Sequence, residues 1–138
     1  MREGYWYSNR EPWFPMPQTY NGPWLARDRF LSKLIELEEA TVADLYRGSS
    51  GCRVCGKMNG CGEYTVDGWT WPTGYRHYIQ DHGVRPSPAF EQMVLGDDYN
   101  RAELYREWYR KHVIEPKLQK IRDDGRRQIQ EDIRNGRL

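Results

Sequence analysis

Residues 52–86 limit the fold of this chain more than any other stretch. Cys52 and Cys55 form a C-x2-C pair followed by glycine, a spacing at which two thiolates clamp one cation from a tight turn. After 21 residues come His77 and His82, an H-x4-H pair of the kind found in structural zinc sites. Four nitrogen and sulfur ligands suit tetrahedral Zn2+, so the sequence predicts a zinc site built from these four residues.

The residues between the two ligand pairs predict a β-hairpin. Asp67-Gly68 is a strong signal for a two-residue hairpin turn. Pairing outward from this turn aligns Val66 with Trp69, Thr65 with Thr70, and Tyr64 with Trp71. This register places aromatic and branched residues on one face and threonines on the other, as a half-buried hairpin requires.

A short helix is predicted over residues 74–82, with Thr73 as its N-cap and Gly83 just beyond its end. On an ideal α-helix with ~3.6 residues per turn, His77 and His82 point about 140° apart. We therefore expect His82 to lie at a loosened helix end, which the following glycine allows.

The order of knuckle, hairpin and helix, with one ligand pair at each end, resembles a zinc finger of the treble-clef or ββα kind. The resemblance covers residues 52–86 and implies a zinc-stapled finger. The spacer is longer than in the DNA-binding C2H2 finger, so the base-reading residues of that finger are not carried over. The knuckle and the run WPTGYRHYIQDHGVRP are also similar to small bacterial or phage proteins of unknown role, which implies no function.

Other interpretations of the same residues stay open. The cysteines also fit ordinary buried thiols. Cys61 is a competing ligand, which either replaces His82 in a Cys3His site or is a bystander. If His82 were not a ligand, the site would be open, with Asp81 or Glu63 as a base, as in the HNH nucleases that combine a ββα metal motif with histidine chemistry. No histidine precedes the hairpin, however, so a nuclease is not favoured.

The flanking sequence predicts helices around the finger and an α+β, mostly helical fold. Apolar residues at three- and four-residue spacing predict a helix over residues 24–47. Ser87-Pro88 begins a short helix that Gly96 ends, and Asn100 with Glu103 begins the last helix.

Three regions are predicted: an extended strap over residues 1–23, a helical domain with the finger over residues 24–115, and a helical extension over residues 116–138. The strap holds four prolines and six aromatic residues, and it either wraps its own domain, which we favour, or docks on a partner.

The last helix carries two kinds of surface. An aromatic face over residues 104–113, which includes His112, is interpreted as core, and Pro116 is expected to kink or interrupt the helix. Beyond the proline a narrow apolar stripe predicts contact with another helix, of this chain or of a partner, or else a tail in solvent.

Composition favours a protein partner. Aromatic residues make up 14% of the 138 residues, and tyrosine and tryptophan are enriched at interface hot spots. The net charge of +1 gives the whole molecule no strong attraction for nucleic acid. The first hypothesis is therefore a non-enzymatic, zinc-stabilised protein-interaction module, such as an adaptor, regulator or inhibitor, because a closed four-ligand site leaves no position for a reacting water.

The alternative is nucleic-acid binding, through cations interleaved with aromatic residues. The candidate contacts are Arg53, Lys57, Arg76, Arg85, Arg126 and Arg127. Residues 101–138 carry 11 Lys and Arg against 7 Asp and Glu, a mild hint of the same kind. No secretory signal, membrane span or small-molecule site is predicted, and cysteines at a metal-type spacing fit the reducing cytoplasm.

Overall fold

The computed structural model describes residues 1–97 and 99–137. The chain divides into two compact units, Met1–Tyr99 and Asn100–Leu138. The boundaries predicted from the sequence lie after residues 23 and 115, so the strap falls inside the first unit and residues 100–115 inside the second. No helix among the described residues is long and apolar enough to cross a membrane.

The first unit combines helices with a small antiparallel sheet, an α+β arrangement. Its elements are α1 (Arg27–Glu39), β1 (Asp44–Leu45), β2 (Gly62–Val66), β3 (Trp69–Pro72), α2 (Tyr75–His82) and α3 (Pro88–Leu95). The second unit contains α4 (Arg101–Tyr109), a π-helical segment (Arg110–Ile114) and α5 (Glu115–Arg134).

The predicted hairpin is confirmed in its register. Strands β2 and β3 pair with Val66 opposite Trp69, Thr65 opposite Thr70, and Tyr64 opposite Trp71. Asp67 and Gly68 both have positive φ, 51° and 79°, as the central residues of a type I′ turn require.

The prediction of one helix over residues 24–47 is wrong in its extent. Helix α1 ends at Glu39, and the Thr41 hydroxyl donates to the Leu37 carbonyl at 2.7 Å. This side-chain bond competes with the helical backbone ladder. Residues 44–45 instead form β1, which pairs with β2 as a third strand. The apolar residues that extended the helical pattern belong to this exposed sheet edge.

The core of the first unit is aromatic and centres on Phe90 of α3, which is fully buried. The rings of Phe30, Trp69, Trp71 and Tyr75 lie 5.2–6.1 Å from the Phe90 ring, centroid to centroid. They come from α1, β3 and α2, so the hairpin and helix of the predicted finger pack against the neighbouring helices. Aromatic pairs at these separations stabilise a core beyond the area they bury.

The N-terminal strap wraps its own unit, as favoured from the sequence. Its first residues run beside β3, where the Glu3 N–H donates to the Thr70 carbonyl at 2.9 Å. The Trp6 ring lies 5.7 Å from the Tyr78 ring of α2. Farther along, the Tyr20 N–H donates to the Gly83 carbonyl at 2.9 Å.

The predicted helix caps of α3 and α4 are confirmed. The Ser87 hydroxyl accepts from the Phe90 N–H at 3.3 Å, and the Asn100 side chain accepts from the Glu103 N–H at 3.0 Å. Each cap satisfies a backbone donor that the first helical turn leaves free.

The second unit corrects one expectation and confirms another. No side chain of α4 is buried within this unit, and His112 is exposed, so the interpretation of residues 104–113 as core is wrong here. Instead the rings of Trp108 and His112 stack on each other at the surface, 5.0 Å apart. Pro116 follows an interruption, as expected, because the preceding turn widens until the Glu115 N–H bonds the Arg110 carbonyl.

The first unit contains a buried ion pair between Arg85 and Glu91. Glu91 of α3 is fully buried, and its carboxylate lies 3.4 Å from the Arg85 guanidinium and accepts from the Tyr99 hydroxyl. A buried carboxylate is costly unless such partners compensate it.

Replacement of Arg85 by alanine should lower the free energy of unfolding by about 3 kcal/mol, because it removes the cation beside the Glu91 carboxylate. The measurement is urea denaturation followed by tryptophan fluorescence. Lys33→Ala, which removes an exposed pair with Glu36, is the control and should change stability by less than about 1 kcal/mol. Equal effects of the two substitutions would contradict this account.

Candidate metal centre

Cys52 and Cys55 lie on a tight knuckle whose shape the backbone fixes. The Cys52 N–H donates to the Lys57 carbonyl at 2.8 Å, and the Gly56 N–H donates to the Cys52 carbonyl at 2.9 Å. Gly56 has a φ of 74°, in the left-handed region that glycine adopts without strain. The Val54 N–H points at the Cys52 Sγ at 3.4 Å, so the knuckle already turns a donor toward that sulfur.

The last turn of α2 explains how His77 and His82, which are five residues apart, can lie on one face of the helix. The N–H groups of Gly83 and Val84 both bond the Tyr78 carbonyl, five and six residues back, rather than the usual four. This last turn is therefore wider than an α-helical turn and closer to a π turn. A wider turn brings residue i+5 back over residue i, so His77 and His82 share one face, as the predicted loosened end requires.

The knuckle is held directly against α2. The Arg53 N–H donates to the Tyr78 hydroxyl at 2.8 Å, and the Asn59 side-chain amide donates to the Gly74 carbonyl at 3.0 Å. Gly74 leaves no room for a side chain, because the Asn59 carbonyl oxygen occupies the space where a Cβ would lie. These contacts hold the two cysteines beside the histidine-bearing helix.

All four predicted ligands meet at this junction. One donor atom from each of Cys52, Cys55, His77 and His82 lies within 4.8 Å of the others. The Cys55 Sγ is 3.4 Å from the His77 Nε2, which is 3.2 Å from the His82 Nε2. Cys52 is buried, both histidines are half-buried and Cys55 is exposed. These four side chains are close enough to bind a metal ion.

Asp81 orients one of the histidines. Its carboxylate lies 3.0 Å from the His77 Nδ1, on the opposite side of the ring from the cluster. An N–H at Nδ1 that donates to this carboxylate leaves the Nε2 lone pair free to face Cys55 and His82. Metal-binding histidines commonly have such a partner, which fixes the ring and raises its basicity.

Cys52 is prepared for metal binding by its hydrogen bonds. Burial by itself raises the pKa of the Cys52 thiol, but hydrogen bonds from the backbone N–H groups of Cys55 and Val54 and from the side chains of Cys55 and His77 together outweigh it and lower that pKa to about 6. At neutral pH this sulfur is therefore mostly thiolate, the form that binds metals.

Cys61 does not belong to this group of donors, although it was the competing ligand in the sequence. It precedes β2, where its carbonyl accepts from the Tyr46 N–H at 2.8 Å. None of the three cysteines is part of a disulfide. The geometry brings His82 into the group in place of Cys61.

The two carboxylates considered as bases are engaged elsewhere. Asp81 faces the His77 Nδ1, away from the donors. Glu63 of β2 accepts a hydrogen bond from the Tyr5 hydroxyl at 2.6 Å, and burial followed by this bond raises the pKa of Tyr5. Neither carboxylate is among the four clustered donors.

Three of the finger cations proposed for nucleic-acid binding make contacts within the chain. The Arg53 guanidinium donates to the Tyr7 carbonyl at 2.7 Å. Arg76 lies 3.8 Å from the buried Glu38, and Arg85 pairs with Glu91.

The other candidate cations are exposed. Lys57 lies on the knuckle, whereas Arg126 and Arg127 lie on α5 in the second unit. The six candidate cations therefore divide between the two units, four in the first and two in the second.

Sequence reasoning missed two residues that support the site. Asp81 was considered only as a base, although its position four residues after His77 places it on the same helix face. Tyr78 has two structural roles that the spacing does not indicate, because its hydroxyl accepts from the knuckle backbone and its carbonyl closes the wide turn.

Comparisons of the chain with protein-family models, with curated proteins and with solved structures find no match.

Asp81→Asn should weaken metal affinity by about ten- to hundredfold, because the amide is a poorer partner for the His77 Nδ1–H than the carboxylate. Titration against a chelator of known affinity measures the change. Asp67→Asn is the matched control, since Asp67 is exposed on the hairpin turn and asparagine tolerates its positive φ. If both variants bind metal as the parent chain does, Asp81 has no orienting role.

Proposed function

We propose that Cys52, Cys55, His77 and His82 hold one structural Zn2+, and that the chain is a non-enzymatic protein-interaction module stabilised by this ion. The observation that carries the proposal is the convergence of two sulfur and two nitrogen donors at the junction of the knuckle and α2. This donor set is typical of structural zinc sites.

Two of the donor separations fit a tetrahedral zinc site. Zinc–nitrogen bonds of about 2.0–2.1 Å and zinc–sulfur bonds of about 2.3 Å imply tetrahedron edges of about 3.3 Å between nitrogens and about 3.6 Å between nitrogen and sulfur. The His77 and His82 Nε2 atoms are 3.2 Å apart, and the Cys55 Sγ is 3.4 Å from the His77 Nε2. Both separations agree with the expected edges to within about 0.2 Å.

A closed site favours a structural role over a catalytic one. Four protein donors fill a tetrahedral shell and leave no position at which a bound water could be activated. The neighbouring carboxylate of Asp81 supports this role, because it faces the outer nitrogen of His77 and not the donor cluster. The zinc would then tie the knuckle to α2, whose buried face is part of the aromatic core.

The exposed surface favours a protein as partner. Large apolar side chains lie in the open on the strap, such as Trp13 at 71% exposure, and along the second unit. Exposed aromatic and aliphatic surface of this kind marks interaction sites. Nucleic-acid binding has less support, since Arg53, Arg76 and Arg85 already bind groups of their own chain.

Purified protein should contain about one zinc ion per chain, and Cys55→Ser should lose it, because a serine hydroxyl is a poor replacement for a thiolate. Zinc is measured by mass spectrometry of the metal after gel filtration. Cys61→Ser makes the same chemical change outside the cluster and should keep the ion. Retention of zinc by the Cys55 variant, or loss by the Cys61 variant, would refute the ligand assignment.

Labelled single- and double-stranded DNA and RNA should bind only weakly, even at low salt, because three of the four candidate cations of the finger make contacts within the chain. Fluorescence anisotropy at low and moderate salt measures this. Tight binding that falls steeply with salt would replace the protein-partner proposal with the nucleic-acid alternative.

A further inference from the structure

The first unit contains a cavity of about 270 Å³ beside the N-terminal strap. The strap forms one wall through residues 2–14, and the opposite wall comes from the sheet, the knuckle region and α2. The volume lies just below the range typical of small-molecule sites, about 300–1,000 Å³. A ligand of this cavity is therefore small, of the size of a single amino acid.

Each wall of the cavity carries one cation and one carboxylate. Arg2 and Glu11 belong to the strap, whereas Arg53 and Glu63 belong to the opposite wall. No ion pair joins any of these four side chains to a charged group in the part of the chain that the structure describes. The cavity therefore presents two positive and two negative groups that lack partners of opposite charge among these residues.

Neutral groups hold three of the four charged side chains in place. The Arg2 guanidinium lies 3.9 Å from the centre of the Tyr5 ring, and the Tyr5 hydroxyl donates to the Glu63 carboxylate at 2.6 Å. The Arg53 guanidinium donates to the Tyr7 carbonyl at 2.7 Å. These contacts orient the charges without neutralising them.

Aromatic rings complete the lining of the cavity. They belong to Tyr5, Trp6, Phe14, Tyr46 and Tyr78. Burial raises the pKa of the Tyr46 hydroxyl, the Glu63 carboxylate raises it further, and the Arg2 guanidinium lowers it. Charges of both signs therefore act at one point of an otherwise aromatic wall.

This combination of charges selects the class of ligand. An apolar molecule in the cavity would take all four charged groups out of contact with water and return no hydrogen bonds. An anion would meet the two carboxylates, and a cation would meet the two guanidinium groups. A zwitterion brings a partner for each sign of charge, and an aromatic side chain on it can pack against the rings of the lining.

We propose that this cavity binds one free amino acid with an aromatic side chain. The ligand carboxylate is bound by Arg2 and Arg53, and the ligand ammonium group is bound by Glu11 and Glu63. The ligand then connects the strap to the opposite wall of the cavity. This site goes beyond the interaction module proposed above and uses none of the four candidate zinc ligands.

Isothermal titration calorimetry of the full chain tests the proposal with L-phenylalanine as the probe, which should bind with a dissociation constant below about 1 mM. Phenethylamine lacks the carboxylate of this probe, and 3-phenylpropionate lacks its ammonium group. Each should bind at least about tenfold more weakly, because one charged hydrogen-bonding group is lost. Absence of L-phenylalanine binding, or equal binding of all three molecules, would overturn the proposal.

Two substitutions test which side chain receives each end of the ligand. Glu11→Gln should weaken the binding of L-phenylalanine and phenethylamine but not of 3-phenylpropionate. Arg2→Gln should weaken the binding of L-phenylalanine and 3-phenylpropionate but not of phenethylamine. Glu39→Gln, at an exposed residue that does not line the cavity, is the control and should bind L-phenylalanine as the parent chain does. Equal losses for all three molecules in both variants would overturn the assigned contacts.

Zinc content of the same samples separates this proposal from the metal proposal. A zinc-free chain that binds L-phenylalanine would refute the metal proposal and support the ligand site. A zinc-loaded chain that does not bind L-phenylalanine would refute the ligand site alone.

Discussion

The contact between the knuckle and the widened end of α2 is the constraint on which the candidate site depends. Backbone bonds shape the knuckle, the Tyr78 hydroxyl receives the Arg53 N–H, and Gly74 lets the Asn59 backbone approach. Two thiols and two imidazoles thereby converge. The four donors are therefore close enough together to bind a metal ion.

Much of this architecture follows from local chemistry and could be predicted. The Asp67-Gly68 turn fixes the hairpin register, because two residues with positive φ leave one way to pair the flanking strands. The C-x2-C and H-x4-H spacings predict all four residues whose donor atoms cluster in the structure. Ser87 and Asn100 mark their helix starts, because short polar side chains satisfy free backbone donors.

The remaining features depend on contacts that local patterns do not contain. Strand β1 is only two residues long and exposed, so its apolar Leu45 continued the helical spacing of α1 without being part of it. Asp81 supports the site because its carboxylate faces the His77 Nδ1. The four-residue spacing alone does not predict this contact, since it also depends on the orientation of the imidazole ring. Residues 104–113 have the composition of a core, yet no side chain of α4 is buried.

X-ray absorption at the zinc edge of the purified chain tests the central claim most directly, because it reports the atoms bound to the metal. The account predicts two sulfur ligands at about 2.3 Å and two nitrogen ligands at about 2.0–2.1 Å, with a total of four. A zinc shell with three sulfur ligands would mean that Cys61 binds the metal. A shell that includes a water molecule would make a catalytic role possible again. A zinc-free protein with its knuckle still folded against α2 would contradict the account altogether.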